Sequence, residues 1–417
     1  MGLPVKVAVL QKADRWCFGP FCFLLTVVRK LGGLFGARTE SRPRNILFVK
    51  LAEQGSTVLA APTLRRAVEM VGRENVYFLC FEENRFVLDM MEIIPPENVL
   101  TVSTESLFTM ASGTLRVIGR MQRMGLDAAI DLEFLARFSA ALTYLSGARL
   151  RVGMHAFHGE GPYRGDLMTH RIPYNPHLHT TQMFQVMVEA LNAPSELFPT
   201  FNYTVPPLEF YEPSFRASAE ELRRMEELIR KETGKVSLPR VILLNPNASD
   251  LLPLRRWPTN RYVELAKRLL AKFPEVYIAF TGAKEETVAN EQLVREVGSE
   301  RCFSAAGKTT LRELLALYTL CDVLVTNDSG PAHFASLTPI HVVTLFGPET
   351  PALFAAHTSR HVALWAGIAC SPCVSALNNR QSACKNNLCM QAISVDQVFA
   401  QVCRGFVGRE TDCANLR

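Results

Sequence analysis

Two stretches of this chain are built on one plan. Short apolar runs rich in β-branched and aromatic residues alternate with longer amphipathic ones. In the first stretch the runs are NILFVKL (45–51), VYFLCF (76–81), AAIDLEF (128–134) and RLRVGM (149–154). In the second they are VILLNPN (241–247), VYIAFTG (276–282), CFSAAG (302–307), DVLVTND (322–328) and HVVTLFG (341–347). Runs that are apolar on both faces suit strands covered on both sides. Between them, Leu64, Ala67, Val68 and Val71 share one face of a helix predicted over 62–71. Further helices are predicted over 259–272, 286–298 and 309–319, and from about 332. A strand–helix–strand order returns each strand in the same direction, so the sheets should be parallel. The expected fold class is α/β, with two such units in tandem.

Length agrees, since 417 residues exceed one ordinary core and suit two domains. The join falls near 205–240. PPLEFYEPSF is proline-rich and aperiodic, and EELRRMEELIRKETG is a charged helix ended by Gly234. The expected organisation is an apolar leader over 1–40, read as a membrane contact, and a first domain over 41–205. A linker and helix over 206–238 follow, then a second domain over 239–394 and a C-terminal helix and tail over 395–417. The amphipathic stretch Val395–Val407 is expected to pack back on the first domain. Thr39–Arg44, polar and proline-bearing, reads as a linker after the leader.

Charge excludes some classes. Lys plus Arg minus Asp plus Glu is 45 − 40 = +5, too mild for a nucleic-acid binder but suited to anionic lipid or phosphate-bearing substrates. The eleven cysteines are odd in number and unevenly placed, which favours reduced thiols in an intracellular chain over a disulfide scaffold. Four of them form C-x2-C-x10-C-x4-C at Cys370, Cys373, Cys384 and Cys389. That spacing could ligate zinc; structural thiols or a disulfide-capable loop are the preferred reading, and no metal site is assigned. WCFGPFCFLLTVV, Trp16 to Val28, is thirteen residues long, short of the roughly 20 a spanning helix needs. Lys6, Lys12 and Arg15 precede it, and Arg29 and Lys30 follow. An interfacial segment at a membrane fits best, ahead of a helix packed on the protein's own core or a signal peptide.

Open parallel sheets bind ligands beyond the carboxyl ends of their strands. Four strand exits of the second domain carry unusual residues. Asn245-Pro246-Asn247-Ala248-Ser249 leads through Arg255-Arg256-Trp257-Pro258 into a helix. The others hold Gly282, Lys284 and Glu286; then Gly307, Lys308, Thr309 and Thr310; then VTNDSGPAHFAS (325–336). Small residues let backbone N–H groups approach, a helix start adds partial positive charge, and arginines match phosphate oxygens. The set suits a diphosphate, with Glu286 as a candidate for ribose hydroxyls. Taken singly, each is more commonly a turn, a cap or a solvated face. In the first domain the exit after NILFVKL holds Glu53, Gly55 and Ser56, with Glu53 a candidate base. Asp131 and Glu133, at another exit, are weaker candidates.

TNDSGPAHFASL…VVTLFGPETP resembles the signature of glycosyltransferase family 9, the ADP-heptose:lipopolysaccharide heptosyltransferases. ILFVKLAEQGSTVLAAPTLRR, AAIDLEFLARFSAAL, LLNPNAS…RRWP and the CSPC…C…C tail extend the likeness over about 45–395. The resemblance implies a GT-B fold: two Rossmann-like domains whose parallel sheets face a central cleft. It implies an inverting, metal-independent transferase with no cofactor beyond its nucleotide-sugar donor, ADP-linked by the resemblance. A sugar, heptose in this family, would pass to a lipopolysaccharide or other lipid-linked acceptor at the cytoplasmic membrane face. By position, Arg255 takes the place of the family's phosphate-contacting cation, with Arg256 beside it. Asp328, Ser329, Gly330 and His333 lie in the donor-phosphate loop, near Asn247 and Ser249. Glu286 or Lys284 is placed at the ribose and Thr309 or Thr310 near adenine, with Gly282 also donor-binding, while Gly55, Ser56 and Asp131 lie on the acceptor side. Where the family often has Gly-Asp, this chain has Gly55–Ser56. A serine cannot act as the base unaided, so Glu53 is the candidate replacement. Catalytic roles thus fall to Glu53, Arg255 and Asp328. A transferase of this build with another nucleotide sugar, a nucleotide-sugar epimerase and a non-catalytic sugar-nucleotide-binding protein remain alternatives.

Overall fold

A computed structural model describes residues 7–33, 42–159, 161–248, 252–378 and 380–414. The chain divides into two compact units, Met1–Leu208 with Ala376–Asn379, and Glu209–Ser375 with Arg380–Arg417. Each carries one six-stranded sheet in which every pairing is parallel.

In the first unit the strands are β1 (Ile46–Val49), β2 (Val76–Phe81), β3 (Val99–Val102), β4 (Ala128–Asp131), β5 (Leu150–His155) and β6 (His170–Pro173). Their order is β3-β2-β1-β4-β5-β6. The second unit repeats the plan with β7 (Arg240–Asn245), β8 (Val276–Phe280), β9 (Cys302–Ser304), β10 (Val323–Asn327), β11 (His341–Phe346) and β12 (His361–Trp365). There the order is β12-β11-β10-β7-β8-β9. Both sheets wind outward from a central strand and then reverse. The reversal opens a crevice between the exits of β1 and β4, and of β7 and β10, where such folds bind ligands. The register aligns these exits: Val49 pairs with Asp131, and Thr326 with Asn245. The central strands β1, β4, β8 and β10 are buried along their whole length, which explains their unbroken apolar runs. Strands β3, β6 and β12 were not among the expected ones; each is short or polar on one face.

The tertiary structure places three expected segments. The charged helix, observed as Ala219–Thr233, packs on the helix Leu311–Leu320 of the second unit. Met225 and Ile229 are its buried stripe, and Ser218 and Gly234 cap its ends. The C-terminal helix, Val395–Ala414, stays with the second unit, burying Val398, Val402 and Phe406 in that sheet's core. Apolar complementarity to the nearest uncovered sheet face decided this, and periodicity alone could not name the partner. The leader forms two helices, α1 (Val7–Trp16) and α2 (Phe18–Gly33). Cys22 and Leu25 pack with Ala140, Ala141, Leu167 and Met168, and Asp14 accepts the N–H groups of Arg137 and Phe138, both at 2.9 Å. Of the Thr39–Arg44 linker, residues 39–41 lie outside the described residues.

The C-terminal helix supplies a stability test. A Cβ on Gly405 would stand 2.1 Å from Cδ2 of His341 at the start of β11. Helix propensity alone favours Gly405→Ala by up to about 1 kcal/mol. Overpacking against the His341 ring costs about 1–3 kcal/mol. The substitution therefore lowers the thermal midpoint, and a raised midpoint would show that the helix seats differently.

Candidate functional site

At the β1 exit of the first unit, Glu53 takes a left-handed backbone (φ 66°) just before the helix Gln54–Leu59. A non-glycine residue holds that conformation at a cost of about 1–3 kcal/mol, and only when its surroundings impose it. Those surroundings are polar. Ser56 Oγ donates to the backbone oxygen of Glu53 at 3.0 Å and lies 3.2 Å from its carboxylate Oε2. Lys50, at the end of β1, is 0% exposed, with Nζ 3.7 Å from Glu53 and 3.6 Å from Glu133. Glu133 accepts the N–H groups of Leu51 and Ala52 at 2.6 and 2.8 Å, tying the β1 exit to the β4 exit. The Glu53 side chain is 30% exposed, so solvent and substrate can reach it. Gly55 is an ordinary residue of the helix.

Asp131, expected on the acceptor side, is enclosed. Its side chain is 0% exposed, is paired with Arg164, and accepts from Ser139 Oγ at 3.0 Å. Burial pushes its carboxyl up to about 6, against the pull of Arg164. Its carboxylate is thus turned inward to Arg164.

In the second unit the exits of β7, β10 and β11 meet. Arg255 donates to Glu349 at 2.9 Å and lies 3.5 Å from Asp328. Arg380 reaches the same Glu349 at 3.6 Å, its guanidinium 5.3 Å from the Phe354 ring. Asp328 and Glu349 are both buried, and burial raises both carboxyls despite the arginines. Asp328 therefore holds Arg255 in place; a carboxylate so enclosed is no phosphate ligand. Asn327, wholly buried, stitches the loops together. Its Oδ1 accepts from Trp257 N at 3.0 Å, and its Nδ2 donates to the oxygens of Pro246 and Asn247 at 3.0 and 3.1 Å. Arg256 turns to Ala248 O at 2.9 Å. Ser329 and Gly330 open the short helix Gly330–Ala335, while His333 is buried within it.

The β8 exit joins this group through Asn247, whose Nδ2 donates to Thr281 O at 3.2 Å. A Cβ on Gly282 would stand 2.5 Å from Asn290 Nδ2 and 2.7 Å from Asn247 Nδ2, so any larger residue would have to displace these amides. Glu286 accepts Ala283 N at 2.6 Å and is raised by burial; Lys284 is exposed. At the β9 exit Gly307 N donates to Gly282 O at 3.0 Å. Thr310 caps the helix Leu311–Leu320 through Glu313, so its hydroxyl is occupied; Thr309 is half-buried beside it. Ser249 lies outside the described residues.

Sequence reasoning missed Lys50, Asn327, Glu349 and Arg380. A lysine inside an apolar strand run was a visible signal for the first. Glu349 stood in the quoted FGPETP without a role. Arg380 carried no local mark, since only folding brings it to Glu349. Cys370, Cys384 and Cys389 are free thiols, Cys373 accepts the Ser382 hydroxyl at 3.2 Å, and among the described residues no three His, Cys, Asp or Glu side chains are placed to hold a metal ion.

The family model of glycosyltransferase family 9 (heptosyltransferase) matches residues 114–383. Lipooligosaccharide heptosyltransferase 2 of Haemophilus influenzae is 36% identical over 135 residues, 32% of this chain and 37% of that protein. Lipopolysaccharide heptosyltransferase 2 of Salmonella typhimurium is 37% identical over 102 residues, 24% of this chain and 29% of that protein. The chain thus spans about a third of the length of these curated relatives. Among solved structures, E. coli ADP-heptose lipopolysaccharide heptosyltransferase II aligns over 88% of this chain and 99% of its own, with TM-score 0.65 and 17% identity. The family 9 glycosyltransferase of Veillonella parvula aligns over 89% and 99%, with TM-score 0.66 and 18% identity. Likeness at those identities speaks to the fold, and it agrees with the expected α/β GT-B class.

Proposed function

This chain belongs to glycosyltransferase family 9, and on that premise we propose that it transfers a heptose from an ADP-linked donor to a lipopolysaccharide or other lipid-linked glycan. The observation that carries the reading is the pair of arginines, Arg255 and Arg380, held by two buried carboxylates at the β7, β10 and β11 exits. Their acids fix the guanidiniums in advance, and a planar fork suits the oxygens of a diphosphate. Glu286, at the neighbouring β8 exit, is the candidate for a ribose.

In the proposed step an acceptor hydroxyl oxygen attacks the anomeric carbon from the face opposite the diphosphate. The carbon–oxygen bond to the diphosphate breaks, and its electron pair goes to the departing ADP. The hydroxyl proton passes to Glu53. In-line displacement inverts the anomeric centre, and the arginines stabilise the leaving charge without a metal ion. The test is a transfer assay with a panel of nucleotide sugars and heptose-deficient lipopolysaccharide, in the presence and absence of a chelator. Acceptor-dependent ADP release with an inverted linkage is expected. Acceptor-independent isomerisation of the donor would mean an epimerase, and tight donor binding without turnover a binding protein; either would overturn the reading.

A lipid-linked acceptor gives α2 a use. One of its faces is buried on the first unit, yet Phe23, Leu24, Val27, Val28 and Leu31 form an exposed stripe on the other, and Trp16 is exposed at the end of α1. Lys12, Arg15 and Lys30 flank it. No helix among the described residues is long and apolar enough to cross a membrane. An apolar stripe edged by cations suits the surface of an anionic bilayer. The double substitution Phe23→Ser/Leu24→Ser should cut cosedimentation with vesicles containing anionic lipid at least several-fold, while leaving activity on a delipidated acceptor intact. Unchanged cosedimentation would remove α2 from the contact.

A further inference from the structure

The proposed mechanism leaves one buried ionisable group unused. Lys50 is 0% exposed, and its Nζ has no hydrogen-bond partner. A buried ammonium persists only when paired. Here its neighbours are the carboxylates of Glu53 and Glu133, at 3.7 and 3.6 Å, and the face of Phe134, 5.6 Å from the ring centre. One cation thus stands against two carboxylates.

The two acids are not equivalent. Glu133 is already satisfied by two backbone N–H groups and is almost enclosed. Glu53 accepts the Ser56 hydroxyl at 3.2 Å and is 30% exposed. Other ionisable groups on the packed elements are engaged elsewhere. The Glu83 carboxylate takes the Thr104 hydroxyl, Arg85 pairs with Asp89, His179 accepts Thr181 N, and Asp131 pairs with Arg164.

We infer that Lys50 is a positioning residue for Glu53: it holds that carboxylate ionised and aimed out of the β1 exit, with Glu133 anchoring the loop on the other side. The inference rests on the reading of Glu53 as the base. Without Lys50, the two carboxylates lose the cation that stands between them, and Glu53 takes up a proton more readily beside the charge of Glu133. The side chain itself touches no substrate; it acts through Glu53 from below. Its stem is sealed in the sheet, so it acts by charge and not by exchange with solvent.

The test compares the wild type with Lys50→Met and Lys50→Arg. In Lys50→Met the acid limb of the kcat profile should move up by about 1–3 pH units, with the donor KM changed less than about two-fold, as expected for a group felt in the chemical step rather than in donor binding. Lys50→Arg should return the limb towards its wild-type position. A second readout needs no substrate: carboxyl carbon NMR of glutamate-labelled protein, with the Glu53 signal identified by its loss in Glu53→Gln. The Glu53 titration should move up in Lys50→Met. If the NMR titration stays in place in folded Lys50→Met, the inference is overturned. If the titration moves but the kcat limb does not, Lys50 sets the Glu53 charge as inferred, and it is the assignment of Glu53 as base that fails.

Discussion

Glu53→Gln lowers kcat by about 10²–10⁴-fold, the usual span for removing a general base, while ADP-sugar affinity stays within about two-fold. The reasoning starts from chemistry. An alcohol is a poor nucleophile until its proton has somewhere to go, and Ser56 cannot accept it at neutral pH. Glu53 is the half-exposed carboxylate of the β1 exit, held in a left-handed backbone and flanked by Lys50 and Ser56. Glutamine keeps the volume and the Ser56 contact but loses the proton acceptor. Because the donor is assigned to the other unit, its binding is the internal control. Activity within a few-fold of wild type would remove Glu53 from the chemistry. Ser56→Asp, which introduces a carboxylate one turn on, would then be the variant to compare.

Arg255→Ala has the second large effect, and it shows twice. Turnover falls by about 10²–10³-fold, the loss seen when one preorganised donor to a developing charge is removed, and ADP affinity falls with it. Stability falls as well, by about 3 kcal/mol at pH 7, because Asp328 and Glu349 are left enclosed with less compensating charge. That second effect has a pH signature. Burial already raises both carboxyls, and losing the guanidinium raises them further. A carboxyl with a folded-state pKa above its unfolded value takes up its proton more readily when folded, so stability is regained as pH falls through the folded-state pKa. The gap in thermal midpoint between Arg255→Ala and wild type should therefore narrow as pH is lowered from 7 towards 5. Arg255→Lys keeps the charge without the fork, and it should restore stability better than turnover. A gap independent of pH would mean that the lost stability is packing alone.

Much of the fold was legible because it depends on local pattern. Runs such as VILLNPN and VYIAFTG are apolar on both faces, and the stretches between them carry one apolar stripe. That combination admits parallel sheets covered by helices and little else. The same logic placed ligands at the strand exits, since a parallel sheet gathers its loops at one end. Local pattern does not carry the destination of a helix. Ala219–Thr233 and Val395–Ala414 have stripes that would fit several sheet faces, and only the assembled core shows which was left uncovered.

The site divides along the same line. The residue types at the β1, β7, β8 and β10 exits are properties of the sequence, and so is the missing aspartate at Ser56. The roles of those residues depend on burial and pairing, which are long-range. Asp131 and Asp328 are both aspartates at strand exits, yet each is enclosed and spent on an arginine, Arg164 or Arg255. Arg380 reaches Glu349 from a loop of the cysteine-bearing tail, and Lys50 meets Glu133 across 83 positions of chain. By itself the sequence determined two doubly wound α/β units and the loops where chemistry can occur, because periodicity and turn residues act over a few neighbours. Tertiary structure alone decided which charges are enclosed, which are paired and which remain open to a substrate, because the energy of a charge depends on everything around it.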